Sequence, residues 1–131
     1  MKLHTGELKE KELLDSIRRM AAMAEYRDPD AATHRERVRS FSFLIARCMG
    51  LASPEVEILA NASLLHDIGK VGLPEAVNFK SGDLSPYEWE MMKRHTTIGA
   101  SILKGSPSVV LQAAEIIALT HHERWDGSGY P

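Results

Sequence analysis

The chain has 131 residues and a formal net charge of −2, which suits one globular domain and excludes a basic surface for a nucleic-acid polymer. With 44% apolar and 26% charged residues, the composition also excludes a disordered chain. No apolar run is long enough for a signal peptide or a membrane span, and the one cysteine, Cys48, suits a reducing compartment. We therefore expect a cytoplasmic protein that has no membrane partner.

Apolar residues recur at intervals of three and four nearly throughout the chain, which predicts an all-α domain. Residues 1–27 are predicted to form an N-terminal helix and a candidate connector, because the apolar stripe ends near Arg27-Asp28-Pro29. A second helix is predicted from about Asp30 to Met49. Its expected buried residues are Val38, Phe41, Ile45 and Cys48 or Met49.

Proline-containing caps mark the later helices. Ser53-Pro54 predicts an N-cap and a first-turn proline for a third helix. Ser85-Pro86-Tyr87-Glu88 has the pattern of a capping box for the next long helix. On that helix we expect Trp89 and Met92 to lie in the core. Ser106-Pro107 is predicted to start the last helix.

Five of the six histidines join an aspartate in a pattern of strong metal ligands. His66-Asp67 ends the third helix and His121-His122 ends the last, while His34 and His95 lie near the ends of others. Imidazole and carboxylate bind Fe, Mn, Zn and related divalent ions. Adjacent residues on a helix point about 100° apart and rarely reach one ion together, whereas a bridging carboxylate and imidazoles can serve two ions. The pattern therefore predicts at least two metal ions.

Each of these ligand pairs also has an alternative role. His66-Asp67 at a helix end could be a cap and its neighbour, and His121-His122 could interact with the C-terminus of its helix. Neither alternative explains why two separate helices end in paired ligands. The joint pattern therefore favours metal binding.

Three further polar residues have two roles open to each of them. Asp30 lies four residues before His34 and shares its helix face if the helix already begins at Asp30, so it is either an additional ligand or an N-cap. Lys70, three residues beyond Asp67, contacts either a substrate phosphate or a metal-bound hydroxide, or else only solvent. Glu123 is either a hydrogen-bond acceptor that supports an imidazole or a solvated charge.

With these residues placed, the chain resembles the HD-GYP family, a branch of the HD superfamily of metal-dependent phosphohydrolases. The resemblance covers residues 28–131, which we assign to this domain, and it rests on three segments. These are residues 64–74 (LLHDIGKVGLP), 89–95 (WEMMKRH) and 121–131 (HHERWDGSGYP). The last segment ends in Gly129-Tyr130-Pro131, the motif that names the family.

The resemblance implies an HD-domain-like helical bundle that hydrolyses cyclic di-GMP to the linear dinucleotide or to GMP, at two or three Fe or Mn ions. By position it assigns the metal ligands as His34, His66, Asp67, His95, His121 and His122. It makes Asp67 the bridging ligand, and Lys70 matches the lysine that approaches the scissile phosphate. Asp30 falls where members with a third metal place a glutamate. The loop Gly129-Tyr130-Pro131 is similar to one that contacts substrate or diguanylate cyclase (GGDEF) domains.

Members of the family continue past this motif into further helices, one of which supplies a last aspartate ligand. We therefore expect the chain to carry the N-terminal part of the domain, with an incomplete bundle and weak or no turnover. An upstream sensor or receiver domain is the expected partner within a parent protein. Two alternatives stay open: a non-catalytic signalling or interaction module, and an HD hydrolase that acts on another nucleotide, including a different cyclic dinucleotide.

Overall fold

The computed structural model describes the backbone of residues 2–131 and the side chains from Leu8 onward. Its helices are α1 (Lys2–Ala24), α2 (Ala31–Cys48), α3 (Ser53–Ser63), α4 (Glu75–Asn78), α5 (Pro86–Lys93), α6 (His95–Leu103) and α7 (Val109–Thr120), with a 3-10 turn at Ile68–Gly72. No strand occurs between residues 2 and 131, so the prediction of an all-α domain is confirmed. None of the helices in this range is both long and apolar enough to cross a membrane.

The helices pack around one hydrophobic core. α3 packs on both α2 and α7, α7 also packs on α6, and the 3-10 turn packs on α6 and α1. The buried apolar residues of the core are Ile17, Ala21, Ala24, Ala62, Leu64, Leu65, Ile68, Leu103, Ala114 and Ala118. Three of these residues flank His66 and Asp67 in the chain. The candidate ligands of this segment are therefore anchored by apolar neighbours on both sides.

The second half of α1 lies in the same core. Ile17 is 1% exposed, and Ala21 and Ala24 are buried with it against residues of α3 and α7. Residues 1–27 as a connector remain a prediction, but the packing shows that this half of α1 shares its apolar face with the bundle.

The predicted starts of two helices are wrong by one or two residues. The N-cap of α3 is Ala52, not Ser53, and its backbone N–H donates to the Glu55 carboxylate at 3.0 Å. The N-cap of α7 is Ser108, because the Ser106 hydroxyl accepts from the Ser108 N–H at 3.1 Å and forms a turn before the helix. In both places a side chain satisfies a free backbone N–H from a neighbouring position, which sequence alone does not distinguish.

The capping box of α5 forms as predicted. The Ser85 hydroxyl accepts from the Glu88 N–H at 3.3 Å, and the Glu88 carboxylate accepts from the Ser85 N–H at 2.7 Å. Trp89, however, is 46% exposed, so its placement in the core was wrong, and Met92 is only half-buried. The Trp89 ring meets the ring of Tyr130 edge-on, with centroids 6.2 Å apart. This side of α5 therefore faces the loop that follows α7.

The predicted buried side of α2 is largely exposed. Phe41, Ile45, Cys48 and Met49 are all exposed, and Val38 is half-buried. The buried residues of α2 are instead Ala31, Arg35 and Ala46. Periodicity correctly identified an apolar stripe, but it carries no information about which stripe a neighbouring helix covers.

Candidate metal centre

Asp67 lies at the centre of two groups of metal-ligating side chains. It follows α3 and precedes the 3-10 turn, and it is buried. The inner group consists of Asp67, His95, His121 and His122, and the outer group of His34, His66 and Asp67. Within each group the ligand atoms all lie within 4.8 Å of one another. One carboxylate is therefore common to both groups.

Three imidazoles direct the same nitrogen at the Asp67 carboxylate. His66 Nε2 lies 3.3 Å from Oδ2, while His95 Nε2 and His121 Nε2 lie 3.3 and 3.4 Å from Oδ1. The Nε2 atoms of His95 and His121 are themselves 3.2 Å apart. Nitrogens that converge on each other and on a carboxylate fit a cation that shares their lone pairs.

The other ring nitrogen of each of these histidines contacts a backbone carbonyl. His66 Nδ1 lies 2.8 Å from the carbonyl oxygen of Ser63, and His95 Nδ1 lies 2.7 Å from that of Met92. His121 Nδ1 lies 3.0 Å from the carbonyl oxygen of Ala118. A carbonyl only accepts, so Nδ1 carries a proton, and the neutral form of each ring has its lone pair on Nε2. This arrangement selects the ligand-competent tautomer of the imidazoles.

Two glycines let the 3-10 turn approach α6. A Cβ on Gly69 would lie 1.8 Å from the carbonyl oxygen of His95 and 2.5 Å from the backbone nitrogen of Gly99. A Cβ on Gly99 would lie 3.1 Å from Cβ of Ala118 on α7. Only glycine at position 69 permits this contact. The contact brings Asp67 and His95 into one site.

Burial and neighbouring charges set the protonation of the site. Burial alone would raise the pKa of Asp67, but hydrogen bonds to the surrounding imidazoles hold it well below its ordinary value. Burial would lower the pKa of His66, but hydrogen bonding to Asp67 and the charge of that carboxylate raise it. Burial, followed by the neighbouring imidazoles, lowers the pKa of His122 to about 4. Near pH 7, Asp67 is therefore ionised and His122 is neutral, as metal ligands must be.

Comparisons with known proteins identify the family of the chain. A family of HD domains matches residues 18–131. The chain belongs to the HD domain family. It is 49% identical over 119 residues to a cyclic di-GMP phosphodiesterase of Thermotoga maritima. The aligned residues cover 91% of the chain and 32% of that relative. It is 42% identical over 126 residues to a cyclic di-GMP phosphodiesterase response regulator of Xanthomonas campestris pv. campestris, covering 96% of the chain and 33% of the relative.

A third relative is named for a different substrate. The 3'3'-cGAMP-specific phosphodiesterase 2 of Vibrio cholerae is 42% identical over 112 residues, which cover 86% of the chain and 22% of the relative. The chain thus spans between 22% and 33% of the length of these three relatives. The resemblance to the HD-GYP branch is confirmed, and membership of the HD domain family implies binding of divalent metal.

Lys70 of the HD domain is not a solvent-facing lysine. Its Nζ lies 2.8 Å from Oδ2 of Asp67 and 3.5 Å from Oε1 of Glu25, and its side chain is 27% exposed. Burial lowers the pKa of Lys70, but the charges of Asp67 and Glu25 raise it above its ordinary value. A charged ammonium therefore lies at the edge of the ligand groups.

A buried ion pair, one member of which contacts Lys70, had not been singled out from the sequence. Glu25 and Arg35 are 6% and 9% exposed, and Arg35 Nη1 lies 2.8 Å from Oε2 of Glu25. Neither residue belongs to a recognisable motif. Glu25 directly follows the buried Ala24 at the end of α1, and Arg35 lies four residues after the buried Ala31 on α2.

Two predicted site residues are not brought into the centre. Asp30 is the N-cap residue of α2 and is exposed, and its carboxylate belongs to neither ligand group. Glu123 is exposed, and within the described part of the chain its carboxylate contacts no imidazole. Backbone carbonyls take the place that Glu123 was expected to fill. His34 does join the outer group, from an exposed position on α2.

The loop after α7 folds back on the inner group. The Tyr130 ring stacks on the His122 ring, with centroids 4.6 Å apart and planes at 16°. A Cβ on Gly129 would lie 2.3 Å from the carbonyl oxygen of His122, so this approach requires glycine. Trp89, Lys93 and Tyr130 are among the residues that line a cleft of about 380 Å³ here. A second cavity, of about 450 Å³, opens beside the outer group.

Proposed function

We propose that this HD domain is a metal-dependent phosphodiesterase whose substrate is cyclic di-GMP. The main support is the position of Asp67, whose carboxylate belongs to both ligand groups and contacts three imidazoles through Nε2. A shared carboxylate suits two neighbouring cations, the arrangement used in many phosphoester hydrolases. The relatives that bear the name cyclic di-GMP phosphodiesterase support the choice of substrate.

The two groups would hold one ion each. In the inner site the ligands would be Asp67, His95, His121 and His122, and in the outer site His34, His66 and Asp67. Imidazole and carboxylate donors suit Fe or Mn. The exposed position of Asp30 gives no support for a third ion. When bound, the ions would polarise a phosphodiester oxygen and activate a water molecule.

The side chains of this chain supply the remaining functions. Lys70 places a charged ammonium 2.8 Å from the shared carboxylate, where it can attract a phosphate oxygen and balance its charge. Backbone carbonyls hold His66, His95 and His121 in orientation without rearrangement. No side-chain nucleophile is required, because water is the attacking group.

The cleft beside His122 is our proposed position for a nucleobase. Its aromatic members Trp89 and Tyr130 offer ring faces and edges, and the ammonium of Lys93 lies 5.9 Å from the Tyr130 ring centroid. Nucleobases stack on aromatic side chains, and cations approach their acceptor edges. The same loop is also the proposed contact for GGDEF domains, since Trp125 on it is fully exposed.

Two alternative functions are each supported by a specific observation. The names of relatives specific for 3'3'-cGAMP favour a different cyclic dinucleotide, and the exposed Trp125 favours an interaction module. The upstream sensor or receiver domain and the cytoplasmic location remain predictions of the sequence.

Metal content and turnover test the proposal together. We expect the purified chain to retain Fe or Mn at about two equivalents, measured by plasma mass spectrometry. Chelated protein should regain turnover of cyclic di-GMP when Fe(II) or Mn(II) is restored, even if turnover is slow. Faster cleavage of 3'3'-cGAMP would favour the other substrate, and metal without turnover would favour the interaction module. A chain that neither binds metal nor cleaves either dinucleotide would contradict the proposal.

A further inference from the structure

Glu25 and Arg35 form a buried ion pair outside both ligand groups. Glu25 follows α1, Arg35 lies on α2, and their side chains are 5% and 11% exposed. The two carboxylate oxygens of Glu25 face different cations. Oε2 lies 2.8 Å from Arg35 Nη1, and Oε1 lies 3.5 Å from Lys70 Nζ. Glu25 therefore contacts both a buried arginine of α2 and the lysine at the edge of the metal centre.

A buried ion pair is weak support for stability by itself. Removing two charges from water costs several kcal/mol per ion, as an order of magnitude, and apolar residues of similar volume are often as stabilising. A purely structural pair also has no need to direct its second oxygen toward a lysine of the site. The position of Oε1 therefore calls for an explanation that involves Lys70.

The position of Lys70 between two carboxylates supplies that explanation. Its Nζ lies closer to Asp67, at 2.8 Å, than to Glu25, at 3.5 Å. Both oxygens of Asp67 already face imidazole nitrogens of the ligand groups. Cations held by those groups would neutralise part of the Asp67 charge and repel the Lys70 ammonium. Glu25 is the other carboxylate that contacts Lys70.

We infer that Glu25 is a positioning residue that holds the Lys70 ammonium at the metal centre. The inference rests on the proposed function, in which Lys70 contacts a substrate phosphate. The Arg35 guanidinium fixes Oε2, so the second oxygen of Glu25 stays directed at Lys70. Arg35 also follows His34 directly in α2. One helix turn therefore carries both a ligand of the outer group and the arginine that pairs with Glu25.

A double-mutant cycle with E25Q, K70M and the double variant tests this inference. In the metal-free protein, urea unfolding should show that the two single effects are not additive, because Glu25 and Lys70 contact each other. In the metal-loaded protein, inorganic phosphate binding should weaken about 10- to 100-fold in E25Q, in the range seen when a supporting partner of a site is lost. E25Q should weaken it no further when Lys70 is already replaced.

The outcomes separate positioning from a purely structural role. If E25Q weakens phosphate binding equally with and without Lys70, or if the metal-free effects are additive, the inference is wrong. E36Q is the matched control, because exposed Glu36 pairs with Arg18 at 3.0 Å and belongs to neither ligand group, and it should leave phosphate binding unchanged.

Two further results keep the test decisive. If E25Q does not fold, E25D retains the charge for Arg35 but shortens the reach to Lys70, and phosphate binding should still weaken. If the wild-type protein binds neither metal nor phosphate, the proposed function fails, whereas the metal-free cycle still decides whether Glu25 holds Lys70.

Discussion

The two ligand groups differ in how firmly the fold holds them. In the inner group His95 is 2% exposed, and both His95 and His121 contact backbone carbonyls through Nδ1. In the outer group His66 is fixed in the same way, but His34 is an exposed residue of α2. The inner group is thus preorganised by contacts among α6, α7 and the 3-10 turn. The outer group depends on one exposed imidazole, so its affinity for an ion should be the lower of the two.

Replacing the shared carboxylate should abolish ion binding by both groups, and with it the difference in their affinities. D67A removes a ligand from both, so we expect the chain to lose both ions and turnover to fall by more than the roughly 10- to 100-fold typical of a lost supporting partner. Metal analysis and turnover of cyclic di-GMP measure this. D83A, which changes an exposed aspartate, is the control. Retention of one full equivalent of metal in D67A would show that the groups do not share a ligand.

A methyl group at Gly69 should damage the inner group selectively. G69A would push the 3-10 turn away from the carbonyl oxygen of His95, and we expect the free energy of unfolding to fall by about 1–3 kcal/mol or more. Metal affinity of the inner group should fall with it. Urea unfolding and metal titration measure the two effects. G6A is the control, because a Cβ on Gly6 would meet nothing within 4 Å. Unchanged inner affinity in folded G69A would refute the proposed role of this contact.

Removing the exposed imidazole should affect the outer group alone. H34A should leave the inner ion in place and abolish binding of the second one. Because His34 is exposed, the free energy of unfolding of the metal-free protein should change by no more than about 0.5 kcal/mol. Calorimetric titration with Mn(II) would resolve the two binding events. Loss of both ions in H34A would mean that the groups cannot fill independently.

The smallest effect is expected from the cap of α5, the helix whose Met92 carbonyl contacts His95. Hydrogen bonding to Lys80, then to Ser85, lowers the pKa of Glu88 to about 2 from its ordinary 4.5. Because the pKa of Glu88 is lower in the folded protein than its ordinary value, the ionised carboxylate stabilises the fold at pH values above 4.5. This contribution disappears as the pH falls from 4.5 toward 2. E88Q should therefore be less stable than the wild type at pH 7 and equal to it near pH 2. Thermal unfolding across this range measures the difference, and a constant gap would contradict the assignment.

Several features of the fold and site follow from short-range sequence signals. Apolar spacing predicts the helices, and Ser85 with Glu88 predicts a cap, because both patterns depend on residues within one or two turns. The adjacent pairs His66-Asp67 and His121-His122 indicate a metal centre for the same reason. The structure brings these ligands together, while their binding of ions stays a prediction.

Other features depend on residues far apart in the chain. The contact between Glu25 and Lys70 joins positions 45 residues apart, and nothing local marks either as a partner. The need for glycine at Gly69 comes from the backbone of α6, which only tertiary packing places there. The exposure of Phe41 and Ile45 likewise depends on which side of α2 meets α3. Periodicity describes one helix at a time and cannot report these relations.

The placement of the candidate ligands at the ends of separate helices links ion binding to folding. His66 follows α3, His95 begins α6 and His121 follows α7, so the ligands meet only when these helices have packed. An ion that binds the folded chain alone would stabilise it by mass action, by about 2.7 kcal/mol at roughly one hundred times its Kd. The melting temperature of the domain would then report the free concentration of the ion, and a chelator would act as a denaturant.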